Sequence, residues 1–325
     1  MPGWRITDPI RVSNVANLPR LAALCRDLGV RPTYLCTYPA VTAPDSAPIL
    51  RELAGAGDCE LGTHLHPWNT PPFDGLGVRG TDERTVPYYM SELGPERFRS
   101  KLEVLHATIA ELAGRPPISF RAGRFGIDGA TLAELPAFGY RVDSSVTPLA
   151  SHAEDGGPDF RFAPRLPYRP SRHDVCRVGD VPLVEIPVSI ALTRSVPRWL
   201  ANAYVRLPRA TRLRGLLSRD FLGLVDYAWL YPARFDEELM FAAARTMLTD
   251  GSPVLNVFAH SSEYAVGQAS YVQDDEELER CFERTRAILA YCIDELGAEP
   301  ATLGEAALAI EGTFEGAFDP KRRSA

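Results

Sequence analysis

Between residues 14 and 146 one pattern recurs four times: a stretch with helical periodicity, then a short run rich in β-branched and aromatic residues. NVANLPRLAALCRDLGV leads to PTYLCTY, SAPILRELAGAG to CELGTHLH, PERFRSKLEVLHATIAELAG to ISFRAG, and DGATLAELPAFG to YRVDSSV. Strands separated by helices of this length pair in parallel, and folds built this way carry their chemistry at the C-terminal strand ends. The chain is therefore read as α/β.

Further on, PLVEIPVSI and PVLNVFAH read as two more strands, with DEELMFAAARTMLTD as the helix before the second and EELERCFERTRAILAYCIDELG as the last helix. That makes six core strands, and a barrel of this rhythm wants another ahead of the first helix, where only WRIT is available. Residues 1–313 are expected to form one domain, and 314–325 a disordered tail. The segment 194–235 interrupts the rhythm. Seven arginines between Arg194 and Arg219, interleaved with Trp199, Tyr204 and several leucines, read as a basic, amphipathic helical insertion.

Composition narrows the function. A net charge of -7 opposes long-range attraction to a phosphate backbone, so no nucleic-acid partner is expected. The six cysteines are scattered without a Cys-x-x-Cys pair, which points to reduced thiols. No apolar run is long enough to cross a bilayer, and MPGWRITDPIRVSN has no signal-type core, so the expectation is a soluble, cytoplasmic protein. A homo-oligomer is left open.

The polar residues at the strand ends carry the functional reading. In ELGTHLHPWNTPPF, His64 and His66 are two apart, so on a strand they share a face and can offer two imidazoles to one cation; zinc or another divalent transition metal suits them. A third ligand, preferably a carboxylate, must come from elsewhere. Arg121, in SFRAGRFG, can hold a carboxylate bidentately, with Arg124 pointing outward. Asp143, followed by two serines, and His260, in VLNVFAHSSEY, close two other strands. An aspartate beside a histidine fixes its tautomer and prepares it as a general acid. The plainer alternatives are a polar loop for the histidines, an ion pair for Arg121, a turn cap for Asp143 and a core position for His260.

These segments, taken in order, resemble the NodB-type polysaccharide deacetylases, carbohydrate esterase family 4. The runs RPTYLCTYPA, ELGTHLHPWNTPPF, SFRAGRFG and NVFAHSSEY look more closely like its WalW-like branch, a likeness spanning about Asn14 to Glu305. The resemblance implies an irregular (β/α)7 barrel, here with its first strand short or lacking. It implies a divalent metal, usually zinc, with cobalt, nickel or iron as substitutes, and a metal-bound water attacking an N-acetyl carbonyl. His64 falls on the first metal histidine, Arg121 on the arginine that orients the base, Asp143 on an acidic position near the catalytic acid, and His260 on that acid. The substrate implied is a small molecule or oligosaccharide bearing an N-acetyl group, with Trp68, Phe125 and Glu263 assigned to contact it.

The chain departs from the family in two places. The second metal histidine usually stands four residues after the first, where Trp68 stands here, so His66 is its substitute by geometry. No Asp-Asp occurs, and Asp8, the only acid ahead of the first helix, is carried as the third ligand. A non-catalytic carbohydrate-binding or scaffolding relative is the main competing expectation. An amidohydrolase also uses His-x-His but would need two further strand-end histidines and a late aspartate.

Overall fold

The computed structural model describes residues 12–73, 87–206 and 226–317. Five parallel strands form one sheet in the order β1 (Thr33–Cys36), β2 (Glu60–Leu65), β3 (Ser119–Ala122), β4 (Val142–Asp143) and β5 (Val184–Glu185). Neighbours in the sheet follow chain order, so each helix crosses from one strand to the next. The fold is α/β, as the sequence rhythm requires. Among the described residues β1 ladders only with β2, while β5 ladders with β4 and is bridged antiparallel at Glu185 by Tyr168.

The helices follow local chemistry. The long helix Pro95–Ala113 begins at a proline whose missing N–H costs nothing there, and it ends at Gly114, whose φ of 69° closes the last turn. It buries Phe98, Leu102, Leu105, Ile109 and Leu112, one stripe at helical spacing, in the main core, which also takes Leu65 of β2 and Phe120 of β3. DGATLAELPAFG, expected as one helix, is two: Asp128 caps Gly129–Leu132 by accepting from the Thr131 N–H at 2.7 Å, and Leu135–Phe138 forms a 3-10 turn. Pro136 supplies the break, because it can neither donate nor tolerate the carbonyl of the preceding turn.

The second half departs further from the sequence reading. PLVEIPVSI is two strands, because Pro187 cannot donate to a ladder: β5, and β6 at Ile190–Leu192. β6 pairs antiparallel with β7 (Tyr227–Trp229), a strand inside the segment expected as a helical insertion. That segment does contain a helix, Arg198–Arg206, while its remaining arginines lie outside the described residues.

PVLNVFAH carries no ladder. Its ties are Asn256, whose backbone N–H donates to Ser189 Oγ at 2.7 Å, and Phe258, whose N–H donates to the Leu230 carbonyl at 3.1 Å. A further helix, Leu303–Ala317, packs Ala307 and Ile310 against Val142, Val184 and Ile186, running through residues 314–317 of the expected tail. Residues 318–325 lie outside the described residues. The six cysteines are free thiols, and no described helix is long and apolar enough to cross a membrane.

Candidate functional site

β2 and the residue directly after it bring the two histidines to one place. His64 sits opposite Arg121 in the parallel register, and its Nδ1 lies 2.9 Å from the Arg121 carbonyl oxygen. A carbonyl only accepts, so Nδ1 carries the proton and Nε2 is left with its lone pair. Burial, opposed in part by that bond, brings the His64 pKa down to about 3. The ring is thus a neutral imidazole with a free nitrogen, the state in which histidine binds a cation.

His66 lies with its ring 4.6 Å from that of His64, edge to face, and burial above all drives its pKa well below the ordinary value. Its Nδ1 is buried without a hydrogen-bond partner. That nitrogen rests against Gly123, where an added Cβ would stand 2.2 Å away, so only glycine leaves the ring its place. On the other side is Trp68, itself buried, 4.3 Å between ring centres. Trp68 thus packs against His66 while also lining the cavity.

Arg121 is buried, and burial lowers its pKa to about 10 even though the charges of Asp143 and Glu185 act the other way. Its Nε donates to the Ser144 carbonyl and its Nη2 to Ser144 Oγ, both at 2.7 Å, with Phe258 5.5 Å from the guanidinium carbon. Among the described residues no carboxylate forms an ion pair with it. After it, Arg124 and Phe125 both take positive φ, 55° and 57°, a strained turn that lays Arg124 over Tyr88 at 5.0 Å and Phe125 on His152 at 5.7 Å. Arg124, expected to point away, faces the same cavity as the histidines.

Asp143 is placed differently from the expectation. It is fully buried, accepts from Ser145 Oγ at 2.6 Å, and lies beside Glu185, its register partner on β5. Burial raises the pKa of both carboxyls, and Glu185 well above the ordinary range because the Asp143 charge adds to the burial. Glu185 Oε1 accepts from the Val146 N–H at 3.0 Å, and Oε2 is buried without a hydrogen-bond partner. The carboxylate that touches His260 is Glu263, not Asp143.

His260 stands where the ladderless segment ends, its side chain 52% exposed, with Nδ1 3.0 Å from Glu263 Oε1. Glu263 is 1% exposed and lies behind the imidazole, away from any position for contacting substrate. The spacing of HSSE, a residue and a carboxylate three further on in the manner of a helix cap, is the signal that could have paired them. Tyr231, Glu185 and Arg124 had no such signal.

His64, His66, Trp68, Arg121, Phe125 and His260 line one cavity of about 1360 Å³, which runs along β1 and the ladderless segment. His64, His66 and His260 are near enough for each added charge on His260 to disfavour protonation of the other two. The lone-pair nitrogen of His64 and the unpartnered imidazole beside it suit two ligands of a divalent cation. Among the described residues no group of three His, Cys, Asp or Glu side chains completes such a site. Asp8 lies outside the described residues.

No protein-family model matches the chain, and no curated protein matches it significantly. Among solved structures, a chain from Mycobacterium smegmatis assigned as a polysaccharide deacetylase is similar at 18% identity and a TM-score of 0.42, over 90% of this chain and 80% of that one.

Proposed function

We propose that this protein is a metal-dependent hydrolase of linear amides, an N-deacetylase acting on an acetylated sugar or glycoside. The observation that carries the reading is the gathering of His64, His66, Arg121 and His260 around one cavity, with His64 held in the tautomer that leaves its Nε2 free. His64 and His66 hold the cation, with Asp8 as the proposed third ligand. A divalent ion such as zinc would activate water and polarise the amide carbonyl.

The chain's own residues do the rest. His260, protonated at Nε2, gives that proton to the departing nitrogen, without which an amine is a poor leaving group. Arg121 places fixed positive charge beside a site where an oxyanion develops. Trp68 holds His66 in position, and Phe125, part of the cavity wall, offers an aromatic face to a sugar ring.

A second reading, a carbohydrate-binding relative without catalysis, is favoured by one observation: the described residues give the two histidines no third ligand and Arg121 no carboxylate. Elemental analysis of the purified protein, with acetate release from chitooligosaccharides followed with and without added zinc or cobalt, separates the two. Bound metal near one equivalent, lost in Asp8→Asn and His64→Gln, with metal-dependent acetate release, is expected. Chitooligosaccharide binding with neither metal nor acetate would establish the binding protein instead.

A further inference from the structure

Behind His260 lies a group that the expected roles do not use. Glu263 Oε2 accepts the His260 backbone N–H at 2.8 Å. Its Oε1 is met by His260 Nδ1 at 3.0 Å, by the Tyr271 hydroxyl at 2.5 Å and by the Tyr231 hydroxyl. The two hydroxyls are themselves 2.7 Å apart, and the Tyr231 hydroxyl is 3.1 Å from His260 Nδ1. Four donors thus converge on one carboxylate that water scarcely reaches.

A turn cap needs less than this. Accepting the backbone N–H of His260 would satisfy the 3-10 turn Ser261–Tyr264, and one oxygen does that alone. The second oxygen, with two tyrosines packed on it, is spent on the imidazole. Burial works to raise the pKa of Glu263, but the bonds from His260 and the tyrosines outweigh it, and the carboxyl stays ionised. An ionised carboxylate has no proton to give, so the atom facing it must donate.

We infer that Glu263, braced by Tyr231 and Tyr271, is a positioning residue that fixes neutral His260 as the Nδ1–H tautomer and leaves Nε2 for the ligand in the cavity. Its value for catalysis rests on the deacetylase reading, in which Nε2 must collect a proton and pass it to a leaving nitrogen. The tautomer itself does not depend on that reading. It follows from what a carboxylate can accept and from which ring nitrogen lies against it.

Glu263→Gln separates positioning from capping. The amide keeps the shape and can still accept the backbone N–H, but its NH2 then faces His260 Nδ1. A backbone N–H cannot change its role, whereas the imidazole can move its proton to Nε2 and accept at Nδ1. The test is 15N-edited NMR of the ring nitrogens, with His260 assigned by comparison with His260→Gln, on full-length protein above the pH at which the ring is neutral.

The wild type is expected to show Nε2 unprotonated, and Glu263→Gln to show it protonated with the circular dichroism spectrum unchanged. Where acetate release is measurable, kcat should fall by about 100-fold with KM little altered, the scale seen when a group that orients a catalytic histidine is lost. A wild-type His260 carrying its neutral proton on Nε2 overturns the inference, and that measurement requires no variant to fold. So does Nδ1–H in a folded Glu263→Gln. Absence of acetate release with the predicted tautomers would overturn the deacetylase reading and leave the tautomer assignment standing.

Discussion

Individual residues set protonation states here, and the buried pair Asp143 and Glu185 does so for stability. Both carboxyls have raised pKa values in the fold through burial, Glu185 the more strongly because the Asp143 charge adds to it, whereas the Glu185 neighbour works to lower Asp143. An unfolded chain releases the Glu185 proton at about pH 4.3, while the folded chain keeps it. The folded state therefore binds more protons above that pH, and stability falls as pH rises through this window. Glu185→Gln keeps the shape but has no proton to lose, so urea midpoints at pH 5 and pH 8 should lie closer together in the variant than in the wild type. A second residue-scale prediction concerns Gly123. Alanine there places a methyl 2.2 Å from His66 Nδ1, and the ring must move. A loss of about 1–3 kcal/mol in urea unfolding is expected from overpacking. If the ring holds a cation, zinc affinity measured by competition with a chelator should fall about 10- to 100-fold as well.

At the scale of elements, the ladderless segment 253–260 is secured by Asn256, whose Nδ2 donates to Ser144 Oγ at 2.9 Å and to the Pro187 carbonyl at 3.2 Å. Ser144 is also where the Arg121 guanidinium rests, so Asn256→Leu should unfold at lower urea, by about 1–3 kcal/mol for buried polar groups left unpaired. The elements differ in how plainly the sequence announces them. β1, β2 and β3 were legible because each is a short apolar run bounded by helices, and buried parallel strands read that way. β7 was not, because three residues beside a basic stretch carry no periodicity of their own. The helix Leu303–Ala317 is marked by TLGE, in which Thr302 and Glu305 bond each other's backbone N–H groups, and by Leu303, Ala307 and Ile310 at helical spacing. For the site, His64 and His66 could be placed from strand alternation alone. Asp143 could not, since the strand that faces it, β5, holds the carboxyl it pairs with, and no local pattern names a partner forty-two residues away on another strand.

Across the whole molecule, a ligand bound only by the folded state raises stability by mass action, about 2.7 kcal/mol at a hundredfold excess over Kd. At an unfolding entropy of about 2.1 cal/mol/K per residue, a hundredfold excess of zinc should therefore raise the thermal midpoint of the wild type by about 4 °C and leave His64→Gln unmoved. An equal shift in both would place the ion elsewhere. What secures His64 on its far side is the main-chain oxygen of Arg121, offered by the register of β2 and β3. A backbone carbonyl persists through every substitution at its own position. The ring's orientation is therefore shielded from sequence drift in β3: side chains there can be exchanged while the imidazole keeps its bearing, and only a slipped strand or the loss of His64 itself would undo it.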